Sequence, residues 1–334
     1  MATSGSVDFS VSRNEIILAA LQDLGITGGV DTVSSASFTT NVTAMAMKLN
    51  MLVKLWSGQS DFAPGIKMWS RKRAYLFLCG GQNTYTLGPT TTTAGTTNKW
   101  ASSYVTTTLS GAEAAGQTVI SLTDATGIVA TNRIGIELDS GVMQWTTVAG
   151  VSSNDVTIGN ALDSAAGSGN RVFAYAVNAQ GRRPISILSA SLRDTDGNDT
   201  PVNHQMSIDE YESISSKSQD SDPSRLYYET TLTDGTVYLD AEPSDITKVI
   251  RIVYLSPIED FDAENDTPDY DQNWYLPLVL GLAEQSAMMF GRGDKLPAIR
   301  TLLYGNDRTL GALTIAKNAN PERSTAYYEC DAPV

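Results

Sequence analysis

Between Asp271 and Lys317 apolar residues recur with helical period, and no other run constrains the fold of this chain as strongly. The spacing predicts a helix from about Trp274 to Phe290, with Trp274, Leu278, Leu282, Ala283, Ala287 and Phe290 on one stripe. Pro277 falls in the first turn, where no intrahelical donor is lost. Gly291 and Gly293 supply a stop. Asp294 is the expected N-cap of a second helix carrying Leu296, Ile299, Leu302, Leu303, Leu310 and Leu313. Two helices with one apolar stripe each need further helices to cover them, and the other end of the chain holds two. Ser12-Arg13-Asn14-Glu15 is a capping-box pattern that opens a helix presenting Ile16, Ile17, Ala20, Leu21 and Leu24 and ending at Gly25. A longer helix, about Ser37 to Trp56, carries Val42, Met45, Leu49, Leu52, Val53 and Trp56, and Gly58 closes it.

Everything between these ends has the period of strands. Arg73–Leu78 and Thr84–Leu87 around Gly80-Gly81-Gln82-Asn83 are expected to form a hairpin, followed by a low-complexity linker at Gly88–Thr97. Short strands with turn residues between them fill Tyr104–Val177, which predicts a small inserted β-domain. A second hairpin is expected at Ile185–Arg193 and Pro201–Met206, then a short polar helix near Ser207–Ile214 and strands at Arg225–Thr230, Thr236–Asp240 and Lys248–Leu255. The expected fold class is α+β: a helical bundle formed by the N- and C-terminal helices, with antiparallel β-hairpins and an inserted small β-domain. The expected parts are a core of residues 1–100 and 178–317, an insert at 101–177 and an extended tail at 318–334.

Composition narrows the function. A chain of 334 residues with 41% apolar residues can bury a core, and no run reaches the ~18 apolar residues of a membrane span. Cys79 and Cys330 cannot make a disulfide framework, which suits a protein folded in a reducing cytoplasm. The net charge of −14 lacks the positive field that tight phosphate binding requires, yet a negative wall would let DNA pass without sticking. His204 is the only histidine, so a triad or a histidine metal site would rest on one strand-end residue. Glu259, Asp260, Asp262, Glu264, Asp266, Asp269 and Asp271 form an acidic loop, read as a solvated stretch before a helix N-terminus. Neither that loop nor Asp194-Thr195-Asp196-Gly197-Asn198-Asp199 has the glycine placement of an EF-hand. Arg292-Gly293-Asp294 spells an adhesion tripeptide but coincides with a helix stop. Arg71-Lys72-Arg73 and Arg182-Arg183 are the basic clusters, suited to pairing with an acidic neighbouring subunit or to touching DNA. No nucleotide loop, dinucleotide fingerprint, zinc pattern or nucleophile elbow occurs, so a structural protein without cofactor or metal is expected.

The order of these pieces resembles the head-to-tail adaptor (head completion, or tail tubular protein A-like) family of short-tailed bacteriophages. The resemblance is carried by Ser12-Arg13-Asn14-Glu15-Ile16-Ile17 with Leu24-Gly25, and by Leu49–Trp56 followed by Met68-Trp69. Further along it is carried by Arg183-Pro184-Ile185, Asp209-Glu210-Tyr211, Pro223–Tyr228, Tyr254-Leu255, Glu259-Asp260-Phe261, Trp274 with Gly281-Leu282-Ala283, and Phe290-Gly291. It spans about Val11 to Leu313 apart from the insert, which compact members of the family lack. The resemblance implies a non-enzymatic virion protein at the head–tail junction, in a closed ring of about twelve copies. Its implied partners are the portal, the tail nozzle, tail fibres and double-stranded DNA passing without specific binding, with no membrane. It places a portal contact in the tail (Pro321, Tyr327, Tyr328) and acidic residues Glu259, Asp260, Asp262 and Asp266 near the channel. The alternatives are a tail-fibre or decoration-type virion protein built on the β-insert, or a carboxylate-based glycan hydrolase using the acidic loop.

Overall fold

The structure, a computed structural model, describes residues 9–57, 70–88 and 99–319. The chain forms two compact units: Met1–Ser70 with Ile258–Val334, and Arg71–Pro257.

In the first unit the α1 helix (Arg13–Asp23) begins at the expected capping box. Ser12 Oγ accepts from the Glu15 N–H, and Glu15 Oε2 accepts from the Ser12 N–H at 2.7 Å. The second N-terminal helix is broken, because α2 (Ala36–Thr39) stops before α3 (Val42–Ser57) starts. The α5 helix (Tyr275–Ala287), preceded by a 3-10 turn at Gln272–Trp274, is the shared neighbour of α1, α3, α6 and α7. Ile17, Leu49 and Leu282, from opposite ends of the chain, are buried in one core with Trp56, Trp274 and Leu303. Gly281 lets α3 approach α5, since a Cβ there would sit 2.9 Å from the Trp56 ring. The single second helix expected from Asp294 to Leu313 does not form. Gly293–Lys295 is a 3-10 turn, and Lys295 rather than Asp294 precedes α6 (Leu296–Tyr304). Gly305, at φ 88°, then turns the chain into a hairpin of β15 (Gly305–Asn306) and β16 (Thr309–Leu310), and α7 (Ala312–Ala319) follows.

Among its described residues, the regular structure of the second unit is all sheet apart from one short helix, α4 (Ile208–Glu212), and one 3-10 turn at Val177–Ala179. A five-stranded antiparallel sheet has the order β11-β10-β14-β1-β3. It is made of β11 (Asp199–Val202), β10 (Ser186–Arg193), β14 (Val249–Leu255), β1 (Arg71–Phe77) and β3 (Trp100–Ala101). A three-stranded sheet joins β12 (Leu226–Thr230), β13 (Gly235–Leu239) and β2 (Thr84–Leu87). The alternating inner residues of these two sheets, among them Leu76, Ile250 and Ile252 with Tyr85, Val237 and Leu239, share one core. The hairpin expected between β1 and β2 is therefore absent. β1 pairs with β14, Ala74 opposite Ile252, and β2 pairs with β13, Tyr85 opposite Val237.

The remaining six strands form a sheet ordered β4-β9-β6-β7-β8-β5. They are β4 (Val105–Thr108), β9 (Arg171–Tyr175), β6 (Arg133–Glu137), β7 (Met143–Ser152), β8 (Asp155–Ile158) and β5 (Val119–Ser121). This sheet curls, because Leu109 just after β4 bridges to Leu122 just after β5, so its first and last strands meet at one end. Phe77 of β1 packs on Tyr104, Trp145, Phe173 and Tyr175 of the curled sheet, with ring centroids 4.9 to 5.7 Å apart.

These findings correct the expected fold class. The described residues hold sixteen strands in curled and layered sheets, and only 26% of them are helical. The chain is mostly β, not a helical bundle carrying hairpins and a small inserted β-domain. Helical period is legible locally, whereas the pairing of residues 71–77 with 249–255 leaves no local sign.

Candidate functional site

The acidic loop is folded onto the helices of its own unit. Ile258, Phe261 and Tyr270 anchor it in the core of the first unit, so the charged residues between them are turned outward. Asn50 of α3 grips Phe261 from both sides, its Oδ1 accepting from the Phe261 N–H at 2.9 Å and its amide donating to the Phe261 carbonyl at 3.3 Å. Lys54 Nζ donates to the Ile258 carbonyl at 2.6 Å and pairs with Asp260 Oδ1 at 2.8 Å. The second half of the loop rests on the start of α1. The Arg13 N–H donates to the Asp266 carbonyl, the Asn14 N–H to the Glu264 carbonyl, and Arg13 Nη1 to the Asp262 carbonyl. Asp266 Oδ2 accepts from the N–H groups of Asp262 and Ala263, both at 2.7 Å, so this carboxylate caps a turn.

Phe261, Asp262, Asp266 and Tyr270 line a cavity of about 500 Å³ along the loop. Burial pushes the Tyr270 phenol well above its ordinary range, with nearby Tyr275 and Asp269 acting in the same direction. Among the described residues no group of three or more His, Cys, Asp or Glu side chains is arranged to hold a metal ion. What the loop offers is a rigid, negatively charged surface. Asp194 uses its carboxylate similarly, Oδ1 accepting from the N–H groups of Asp196 and Asn198 at 2.9 and 2.8 Å, as in a hairpin turn.

The basic clusters lie at one end of the five-stranded sheet in the second unit. Arg71, Lys72 and Arg73 are exposed and stand opposite Leu255, Tyr254 and Val253. Ser186, four residues after Arg182, is also opposite Leu255. Arg183 is turned into its own unit, where its Nη1 donates to the Thr231 carbonyl. A glycine at position 88, φ 123°, makes room for the Arg183 backbone. Arg182 is half-buried beside Tyr254, whose phenol burial pushes up to about 12 while the nearby guanidinium and a backbone hydrogen bond from Arg182 oppose that shift. Arg73 and its neighbours thus form the outward part of this patch.

His204 is half-buried, and desolvation pushes its imidazole down. Among the described residues it has no hydrogen-bond partner that would make it a base. Arg292 donates through Nη2 to the Gly25 carbonyl at 2.9 Å, tying the end of α1 to the turn after α5, which absorbs the tripeptide into structure. Pro321, Tyr327 and Tyr328 lie outside the described residues. Nor among the described residues is any helix long and apolar enough to cross a membrane.

Sequence reading missed the outward apolar residues of the first unit. Met47, Met51 and Leu55 of α3 are 58, 58 and 64% exposed, on the side opposite the core. Their spacing of four residues was available as a second stripe, obscured by the stronger buried one.

No family model matches this chain, and no curated protein matches it. Among solved structures, a segment is similar to the Gp54 tailspike of Acinetobacter baumannii bacteriophage AP22 in complex with A. baumannii capsular saccharide. The identity is 17% over 22% of this chain and 15% of that chain, with a TM-score of 0.19. A superposition of that quality carries no argument about fold or function.

Proposed function

We propose that this chain is a structural, non-enzymatic virion protein of a tailed bacteriophage. Within that class we propose a head-to-tail adaptor, a ring of copies that joins the portal to the tail nozzle and continues the DNA channel. One observation carries this reading: helices from the two ends of the chain share a core, and that core presents a fastened acidic loop and an outward apolar helix face. Such a body is suited to docking through several surfaces at once. The net charge of −14 suits a conduit, because it repels phosphate and lets DNA slide. Docking of one ring on another multiplies weak contacts through effective concentration. The exposed Arg71-Lys72-Arg73 edge belongs to subunit contacts under this reading, and the segment 318–334 to the portal.

The test is to add the full chain to filled, tailless heads and image them by negative stain. The adaptor reading expects a ring of density beneath the portal and tail attachment that depends on it. Recovery of full, tailed particles with a chain lacking 318–334 would remove the portal role of that segment. A second reading, a tail-fibre or decoration-type protein, is favoured by the sixteen strands of the described residues. Under it the same images show the chain on fibres or on the capsid surface, with the junction bare.

A further inference from the structure

Within the first unit a cleft of about 420 Å³ lies between the start of α1 and the acidic loop, and Asn14, Glu15, Leu18, Asp31, Val33 and Glu264 are among its walls. The walls are tied to one another. The Asn14 N–H donates to the Glu264 carbonyl at 3.3 Å, and Gln22 Nε2 donates to the Gly28 and Asp31 carbonyls, each at 3.3 Å. Asp31 Oδ2 accepts from the Gly28 N–H at 2.7 Å and from Ser37 Oγ at 3.0 Å. A concave site of this size with fixed walls suits a small ligand or one or two side chains of a larger one.

Two kinds of polar group in the cleft lack a counterpart. Asn14 is only 9% exposed, and its Oδ1 accepts from Arg13 Nε at 3.2 Å and Nη2 at 3.0 Å. That fork fixes the amide, so Nδ2 points away from Arg13 on a side chain that lines the cleft, and no described residue accepts from it. A buried amide donor costs free energy until something supplies an acceptor. Beside it stand Glu15, Asp31 and Glu264, and no Lys or Arg side chain of the described residues pairs with any of the three. Arg13 itself is spent on Asn14 and on the Asp262 carbonyl. The three carboxylates do not form a group that could hold a metal ion, so the cation they suit is a larger one. Glu15 Oε2 is committed to Ser12, and Asp31 Oδ2 to Gly28 and Ser37, which leaves one oxygen of each. A guanidinium fork is best met by two oxygens of one carboxylate, whereas an ammonium donates in three directions to single oxygens. Leu18 and Val33 offer apolar contact to the methylene stem behind such an ammonium. The dipole of α1 would oppose a cation, but the first N–H groups of the helix are already met by the Asp266 and Glu264 carbonyls and by Ser12.

We propose that this cleft binds a lysine residue in a peptide segment of another protein. The ammonium is taken by the carboxylates of Glu15, Asp31 and Glu264, the stem lies on Leu18 and Val33, and the main-chain carbonyl accepts from Asn14 Nδ2. A free polyamine carries the same ammonium chemistry but has no carbonyl for Asn14, which is what separates the two sources. The inference goes beyond the adaptor reading and does not depend on it, because the cleft is complete within one unit of one chain.

The experiment is isothermal titration calorimetry of the full chain at low salt with three probes: a capped dilysine peptide, its dinorleucine analogue with the same stems and no charge, and spermidine. The dilysine peptide is expected to bind at one saturable site, about tenfold tighter than either other probe. Glu264→Gln, at an exposed side chain, is expected to weaken that binding by about fivefold, a loss that shrinks as salt is raised. Val33→Arg, at a side chain 41% exposed, puts a cation of its own beside the cleft and is expected to abolish saturable binding. Asn14→Asp keeps an acceptor for Arg13 but removes the donor, and is expected to erase the preference for the peptide over spermidine. Far-UV circular dichroism checks that each variant is folded. Spermidine binding as tightly as the peptide overturns the proposal, because the Asn14 donor is then unused, and so does a preference that survives Asn14→Asp. Dilysine affinity indifferent to Glu264→Gln and Val33→Arg overturns it as well, since the peptide then rests elsewhere on a chain of net charge −14. So does a dilysine peptide that shows no saturable binding at millimolar concentration.

Discussion

Ser12 illustrates how much one hydroxyl can organise. It accepts from the Glu15 N–H, and Glu15 returns the bond to the Ser12 backbone, which holds the Glu15 carboxyl below its ordinary range. Ser12→Ala is expected to lower stability by about 1 kcal/mol, read as a shift of the urea midpoint at unchanged slope. Asp199 is the second such residue. It accepts from Arg193 Nε and Nη2 at 2.9 and 2.8 Å and pairs with Arg251 Nη1 at 2.7 Å. The Arg193 hydrogen bonds, first among the causes, depress its carboxyl below the ordinary 3.8. A depressed carboxyl stabilises the fold above its unfolded value, and that stability fades as pH falls through the lowered folded value. Unfolding midpoints measured at about pH 5 and about pH 2 should therefore converge between the native chain and Asp199→Asn at the acid end and differ at the higher pH.

At the scale of elements, Gly305 and Phe77 decide what the helical and strand periods could not. Gly305 ends α6 at φ 88° and ψ −174°, and a Cβ there would sit 2.4 Å from the Thr309 carbonyl oxygen. Gly305→Ala is expected to cost about 1–3 kcal/mol and to loosen the β15–β16 hairpin, seen as faster amide exchange at residues 305–311. Phe77 is fully buried between the five-stranded and the curled sheets. Phe77→Ala is expected to destabilise the second unit by about 3–5 kcal/mol, measured by chemical denaturation. Because Phe77 belongs to that shared core, excising 104–177 would uncover it. Deletion of the insert is therefore expected to unfold the second unit whatever the protein's role.

For the whole molecule, charge is the property that acts at a distance. At −14 the chain should show no retention of double-stranded DNA at physiological salt, in a filter or mobility assay, and a salt-dependent complex would remove the non-binding conduit from the proposed function. The acidic loop was legible as composition, since Asp260 and Asp262 stand in the sequence. Its fastening onto α3 through Asn50 and Lys54 was not.

Local periodicity and capping chemistry determined the existence of α1, α3 and α5, because each depends on residues no more than four positions apart. The same information marked most strands of the second unit but not their partners. Ala74 meets Ile252 and Tyr85 meets Val237 only in the folded chain, since antiparallel register over such separations depends on which apolar faces find a common core. The tertiary structure alone decided that sheets outweigh helices, that Phe77 welds the curled sheet to its neighbour, and that Met47, Met51 and Leu55 face outward. Each outcome depends on the competition among buried surfaces across the whole chain, which a window of neighbouring residues does not contain.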